Sequence, residues 1–360
     1  MAIPSGFVMK TIDIQKLVKP GIRSLSAYEA KEIPCSVKLD ANESPYDFEK
    51  TLPRALAAVK TNRYPDPEAR ELKRIIAKRF SVSQGNILQG NGSDELIYYL
   101  ITTFGGPVLY PTPTSSMYGI ISQALGEKKN NVPLDRVFDL DLEKMLKAIK
   151  KDQPRLIFLS SPNNPTGNCF SADRIMKIIE ASRCIVVVDE AYQPFSSQKG
   201  FLPLLKDYRN LVIMRTLSKI GLAALRLGFL IGDAEIIAAV NKVRLPFNVN
   251  AFSQAVAVEA LKDRQGLSSS IKAIIAERER MFRQMREIKG VTPFPSEANF
   301  ILFRVRNPDS LYQGLLKKGI LVRNMHGAVR GCLRVTVGAP KENTAFLKVL
   351  EKSIIDNDSG

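Results

Sequence analysis

The chain has a single histidine, His326. That excludes a metal site built from several histidines and a Ser-His-Asp triad, and His326 itself reads as a loop residue. Cysteine is sparse: Cys35, Cys169, Cys184 and Cys332 stand singly, with no CxxC pair. Reduced, mostly packed thiols are expected, not a metal site or a disulfide frame. No apolar run is long enough to span a bilayer, and Met1 to Lys10 lacks a basic segment followed by an apolar one, so a cytoplasmic protein without a membrane partner is expected. There is no internal repeat, long linker or basic low-complexity arm. The net charge of +16 comes from basic residues interleaved with acids, as in Glu277-Arg-Glu-Arg280. It reads as a solvated surface with some phosphate-binding arginines, with no recognisable nucleic-acid-reading module.

What is present is a large globular chain. Its 360 residues, 45% of them hydrophobic, exceed what one compact core usually holds, so one large and one smaller domain are expected. Strand candidates are 108–110, 155–160, 184–189, 211–214 and 227–231. Runs such as Ile185 to Val188 are continuously apolar, which suits strands covered on both faces. The expected fold class is therefore α/β, a mainly parallel central sheet flanked by helices. Residues 250–288 read as long helix. Segments 299–304 and 332–337 read as strands of a smaller α+β unit, on which the N-terminal 45 residues should pack. The expected division is 46–250 for the large domain, with 1–45 and 251–360 forming the small one.

Chemistry gathers at the ends of the predicted strands, where ligands bind in such sheets. Ser218-Lys219 is followed by Arg226. An amine beside a hydroxyl, with a guanidinium a turn or two later, is how a pyridoxal-phosphate enzyme holds its cofactor: the amine bonds the aldehyde and the other two grip the phosphate. Asp189 closes an apolar strand. A carboxylate there needs a cation or many donors; a pyridinium nitrogen is one such partner and a helix cap is the alternative. Tyr192, three residues on, can donate to the cofactor's 3′-oxygen. The rigid turn Ser161-Pro-Asn-Asn164-Pro-Thr-Gly167 can present the Asn164 amide to the same oxygen, or be an ordinary turn. Gly90-Asn-Gly92-Ser93-Asp94-Glu95, ahead of a helical stretch, reads as an anion nest or as a plain helix cap. Arg323 and Arg334, in or beside strand candidates of the smaller unit, each call for an anion or a structural salt bridge.

With these strings in view, the chain resembles fold-type I pyridoxal-phosphate aminotransferases, most closely the histidinol-phosphate branch. The resemblance runs nearly end to end. It includes Lys38-Leu-Asp-Ala-Asn42-Glu43, Asn62-Arg-Tyr64-Pro-Asp66, Gly90 to Glu95, Ser161 to Gly167, Asp189-Glu-Ala-Tyr192, Thr216-Leu-Ser218-Lys219, Arg244-Leu-Pro-Phe-Asn-Val-Asn250 and Leu333-Arg334-Val-Thr-Val-Gly338. It implies that Lys219 holds the cofactor, Asp189 its ring nitrogen, and Tyr192 and Asn164 its 3′-oxygen. Gly92, Ser93, Asp94, Thr216, Ser218 and Arg226 would surround the phosphate, with Tyr64 reaching in from the partner of a homodimer. Tyr28, Asn42, Asn164, Arg323 and Arg334 would meet the substrate.

The implied activity moves an amino group between histidinol phosphate and 2-oxoglutarate, in histidine biosynthesis and with ping-pong kinetics. Rivals on the same scaffold are an aromatic amino-acid aminotransferase and a threonine-phosphate decarboxylase; a transcriptional regulator with an aminotransferase-like domain is a rival of another class. Two departures stand out. Where the family often has a ring-stacking aromatic after Pro-Thr, this chain has Ser115, with Tyr118 three residues later, so the ring face is covered differently or the stack is weaker. The spacing from Lys219 to Arg226 is also one residue shorter than is common.

Overall fold

The computed structural model describes residues 13–27, 32–49, 52–57 and 59–358. Its strands in chain order are β1 (Val37–Leu39), β2 (Ile87–Asn91), β3 (Val108–Thr112), β4 (Lys129–Pro133), β5 (Leu156–Ser160), β6 (Ile185–Asp189), β7 (Leu211–Thr216), β8 (Leu227–Gly232), β9 (Thr292–Pro293), β10 (Phe300–Arg304), β11 (Ile320–Asn324) and β12 (Cys332–Thr336). A seven-stranded sheet runs β2-β8-β7-β6-β5-β3-β4. Strands β3 to β7 are parallel, and β8 is antiparallel to both neighbours.

The apolar runs explain this sheet. Side chains alternate faces along a strand, so a continuously apolar strand feeds a core on each side. In β5, β6 and β7 the residues Ile157, Leu159, Val186, Val188, Leu211 and Ile213 enter one core. Their alternates Leu156, Phe158, Val187, Val212 and Met214 enter the other. Burying each such side chain stabilises by roughly 1.5–3 kcal/mol. No helix among the described residues is long and apolar enough to cross a membrane.

The second sheet has five strands in the order β1-β11-β12-β10-β9. Strand β1 pairs parallel to β11, and the other pairs are antiparallel. The early segment 37–39 thus pairs into the second sheet. The short helices Ile14–Leu17 and Pro20–Arg23 differ from expectation. The Gly21 carbonyl accepts from Gln123 Nε2 at 3.1 Å, which ties that segment to the helix Ser116–Leu125 beside the large sheet.

The expected helix over 250–288 is two helices, Ala251–Lys262 and Arg264–Glu287. Asp263 separates them. It leaves helical dihedrals at φ −79°, ψ 72°, and its Oδ1 accepts from Gly266 N at 2.8 Å, capping the second helix.

Candidate active site

Strands β5, β6 and β7 run parallel, so their carboxyl ends lie together. Ser160 is the last residue of β5, Asp189 the last of β6 and Thr216 the last of β7. The turns that follow carry Asn164, Tyr192 and Lys219, and all three line one cavity of about 1280 Å³. The other sheet contributes Arg323 from β11 and Arg334 from β12, and the loop after β1 contributes Asp40 and Asn42. Distant strings in the sequence therefore meet at one place.

Asp189, at the end of β6, is buried and is not among the residues that line this cavity. Burial pushes its carboxyl up to about 6, helped by the nearby negative charges of Asp94 and Glu190. Two donors oppose that. Tyr118 Oη donates to Oδ2 at 2.7 Å and Ala191 N donates to Oδ1 at 3.1 Å. A buried carboxylate with so few in-chain partners suits a cationic ligand such as a pyridinium.

Tyr192 is buried, and its Oη accepts from Asn42 Nδ2 at 2.9 Å. Thr336 Oγ1, 3.2 Å from Asn42 Oδ1, fixes which way that amide points. Asn42 is itself locked: its φ is 54°, and its backbone binds Thr336 and Asn299. Because Tyr192 Oη accepts here, its own proton remains for another group. Lys219 Nζ lies 3.4 Å from the Ala41 carbonyl and 5.9 Å from the centre of the Tyr192 ring.

The anion nest forms at the helix Ser93–Phe104. Its cap, Gly92, has φ 81° and gives no side-chain bond to the helix amides, so these N–H groups are open to an anion. Arg226 closes the cradle: a Cβ on Gly92 would lie 2.6 Å from Arg226 Nη2. The short connection from Lys219 reaches this position by placing Arg226 in the left-handed region, at φ 50°. Arg226 Nη2 is 3.8 Å from Asp94. Thr216 and Ser218 are buried beside the nest's neighbour β8, with Thr216 Oγ1 3.0 Å from Ser218 Oγ and 3.1 Å from the Leu227 carbonyl. A glycine cradle, open helix amides and a guanidinium together fit a phosphate, so these residues fit pyridoxal phosphate.

Arg334 donates to Asn164 Oδ1 at 2.5 Å and to the Asp40 carbonyl at 2.7 Å. It thus ties the small sheet to the turn after β5. Arg323 is exposed and makes no ion pair among the described residues. Tyr64 is not brought to this cavity. It is 82% exposed and stacks on Phe247 at 4.6 Å. Tyr28 lies outside the described residues. Ser115 lines the cavity, whereas Tyr118 does not: it is fully buried and stacked on Phe158 at 4.7 Å. Tyr118 therefore offers no cover to a ring in the cavity.

Two features escape a reading of the sequence. The first is the Tyr118–Asp189 bond. The second is the buried pair Arg215–Glu190, with Arg215 Nη2 2.5 Å from Glu190 Oε2. Glu190 also accepts from Phe201 N at 2.5 Å, which braces the segment after Asp189. The adjacency of Glu190 to Asp189 was the one available signal.

The sequence pattern of the family "Aminotransferase class I and II" matches residues 35–350. A histidinol-phosphate aminotransferase of Aquifex aeolicus is 47% identical over 350 residues, covering 94% of this chain and 98% of that protein. Histidinol-phosphate aminotransferase 2 of Nitrosococcus oceani is 42% identical over 351 residues, covering 94% and 97%. Among solved structures, the histidinol-phosphate aminotransferase of Sinorhizobium meliloti in complex with pyridoxal-5′-phosphate superposes with a TM-score of 0.86. Its identity is 25%, and the match covers 97% of this chain and 100% of that one.

Proposed function

The chain belongs to the aminotransferase class I and II family and depends on pyridoxal phosphate, and from that premise we propose that it is the histidinol-phosphate aminotransferase of histidine biosynthesis. The amino group passes between histidinol phosphate and 2-oxoglutarate. The observation that carries this reading is one cavity holding Lys219 together with two arginines, Arg323 and Arg334. Histidinol phosphate brings an amine and a dianionic phosphate but no carboxylate, so it needs an amine-handling lysine and an anion site in one place.

Pyridoxal phosphate, when bound, supplies an aldehyde and a protonated ring that draws electrons from the substrate carbon. The chain does the rest. Lys219 would hold the aldehyde, and its Nζ, when free, would take up and return a proton. Asp189 would keep the ring nitrogen protonated. Tyr192, oriented by Asn42, and Asn164, oriented by Arg334, address the 3′-oxygen. The amides beginning at Ser93, with Thr216, Ser218 and Arg226, would hold the phosphate, and Gly92 would leave room for it.

Residues 46–250 would form the cofactor-holding unit, and 251–360 together with the strand 37–39 the smaller one. The assembly would be a homodimer. Support comes from the exposed Tyr64, Phe247, Leu245 and Phe252, apolar surface of the kind an interface covers. Such a biosynthetic enzyme would work in the cytoplasm.

Steady-state rates with histidinol phosphate, phenylalanine and threonine phosphate test the reading. Histidinol phosphate should give the highest kcat/KM, with ping-pong kinetics against 2-oxoglutarate. A higher kcat/KM for phenylalanine would make the aromatic aminotransferase the better reading.

A further inference from the structure

We propose that Tyr118 is a positioning residue of this site: its phenol holds Asp189 in place as the acceptor for the ring nitrogen. The inference rests on the cofactor reading above and assigns a role to a residue outside the cavity.

The geometry is specific. Of the two donors to Asp189, the Ala191 amide is only two residues away. It is a local bond that any strand-end aspartate can make. The Tyr118 bond spans 71 residues of sequence and joins the helix Ser116–Leu125 to the end of β6. The phenol has little freedom to turn elsewhere, because its ring is fully buried and lies over Phe158 at an interplanar angle of 10°. Burial pushes its acidity well away from neutral pH, so it stays a donor throughout the working range. Tyr118 takes Oδ2 and Ala191 takes Oδ1. A carboxylate has about four acceptor positions, so two remain for the ring N–H.

The consequence is a division of labour. Asp189 meets the ring, and Tyr118 acts only through Asp189. Without the hydroxyl, the buried carboxyl loses the one long-range donor it has among the described residues, and its tendency to take the proton for itself rises. The ring would then be held and protonated less well.

The test is Tyr118→Phe, which keeps the stacked ring and deletes the hydroxyl. Pyridoxal-phosphate affinity is measured by titrating the apo protein. Turnover of histidinol phosphate is measured on the holoenzyme. Both are repeated in an Asp189→Asn background. One charge-assisted hydrogen bond should appear as a roughly tenfold loss in cofactor affinity and in kcat, with KM for the substrate little changed. That loss should disappear when Asp189 is already Asn. A Tyr118→Phe protein that matches wild type overturns the inference. So does an equal loss in both backgrounds, which would mean that the phenol only packs. A wild-type protein that binds no pyridoxal phosphate would remove the cofactor reading and this inference with it, a result plainly different from the other two.

Discussion

Arg323 on β11 stands directly opposite Arg334 on β12 in the register of the small sheet. Paired positions share a face, and like charges set opposite one another are destabilising. Arg334 is engaged with Asn164 and the Asp40 carbonyl. Arg323 faces the same cavity and has no acid paired to it among the described residues. An anionic substrate relieves the repulsion, and the dianionic end of histidinol phosphate has the charge to do so.

Arg323→Ala should therefore lower kcat/KM for histidinol phosphate by on the order of a hundredfold, the cost of losing one charge-assisted contact to the substrate phosphate. The cofactor's absorption should be unchanged, and phenylalanine, which lacks the phosphate, should lose far less. Equal losses on both substrates in steady-state assays would contradict the phosphate role.

Asp189 carries a stability signature. Burial raises its carboxyl from 3.8 to about 6, so the folded apo chain holds that proton more tightly than the unfolded chain. Its contribution is therefore full below about pH 4 and is lost as the pH rises through about 6. Above that, the apo chain carries a buried charge costing at most about 3 kcal/mol. Asp189→Asn removes the charge and keeps an acceptor for Tyr118. In thermal melts, the apo variant should be a few degrees more stable than apo wild type near pH 8, and level with it near pH 4. The holo variant should nonetheless lose turnover by orders of magnitude. An apo variant less stable at pH 8 would mean that Asp189 is structural.

Tyr64 is exposed and stacked on Phe247, away from its own chain's cavity. If it completes the partner's site, mixing Lys219→Ala with Tyr64→Ala subunits should restore activity, because one site in each hybrid is intact. If Tyr64 serves its own subunit, no hybrid recovers.

Much of this architecture is legible in the sequence for a physical reason. Strands β5 to β8 are apolar along their length because both faces are covered, and the key polar residues interrupt the chain just where those strands stop. Other elements gave no such signal. Strand β4 is Lys129-Asn-Asn-Val-Pro133, polar because it is the sheet's edge. Strand β2 ends in Gly90 and Asn91, and its Gly90 pairs with Gly228, where the backbone must approach the nest. The helix break at Asp263 is a single cap inside a helical pattern. In the site, Lys219, Asp189, Asn164 and Tyr192 were readable from short strings. The bonds that orient them were not. Asn42 reaches Tyr192 across 150 positions and Arg334 reaches Asn164 across 170, and no local pattern reports such pairs.

Everything proposed for this site turns on which lysine holds the cofactor. The protein loaded with pyridoxal phosphate is reduced with borohydride, digested and mapped. A yellow protein whose label falls on Lys219, at the turn after β7, is expected. A label on another lysine, or none at all, would contradict it.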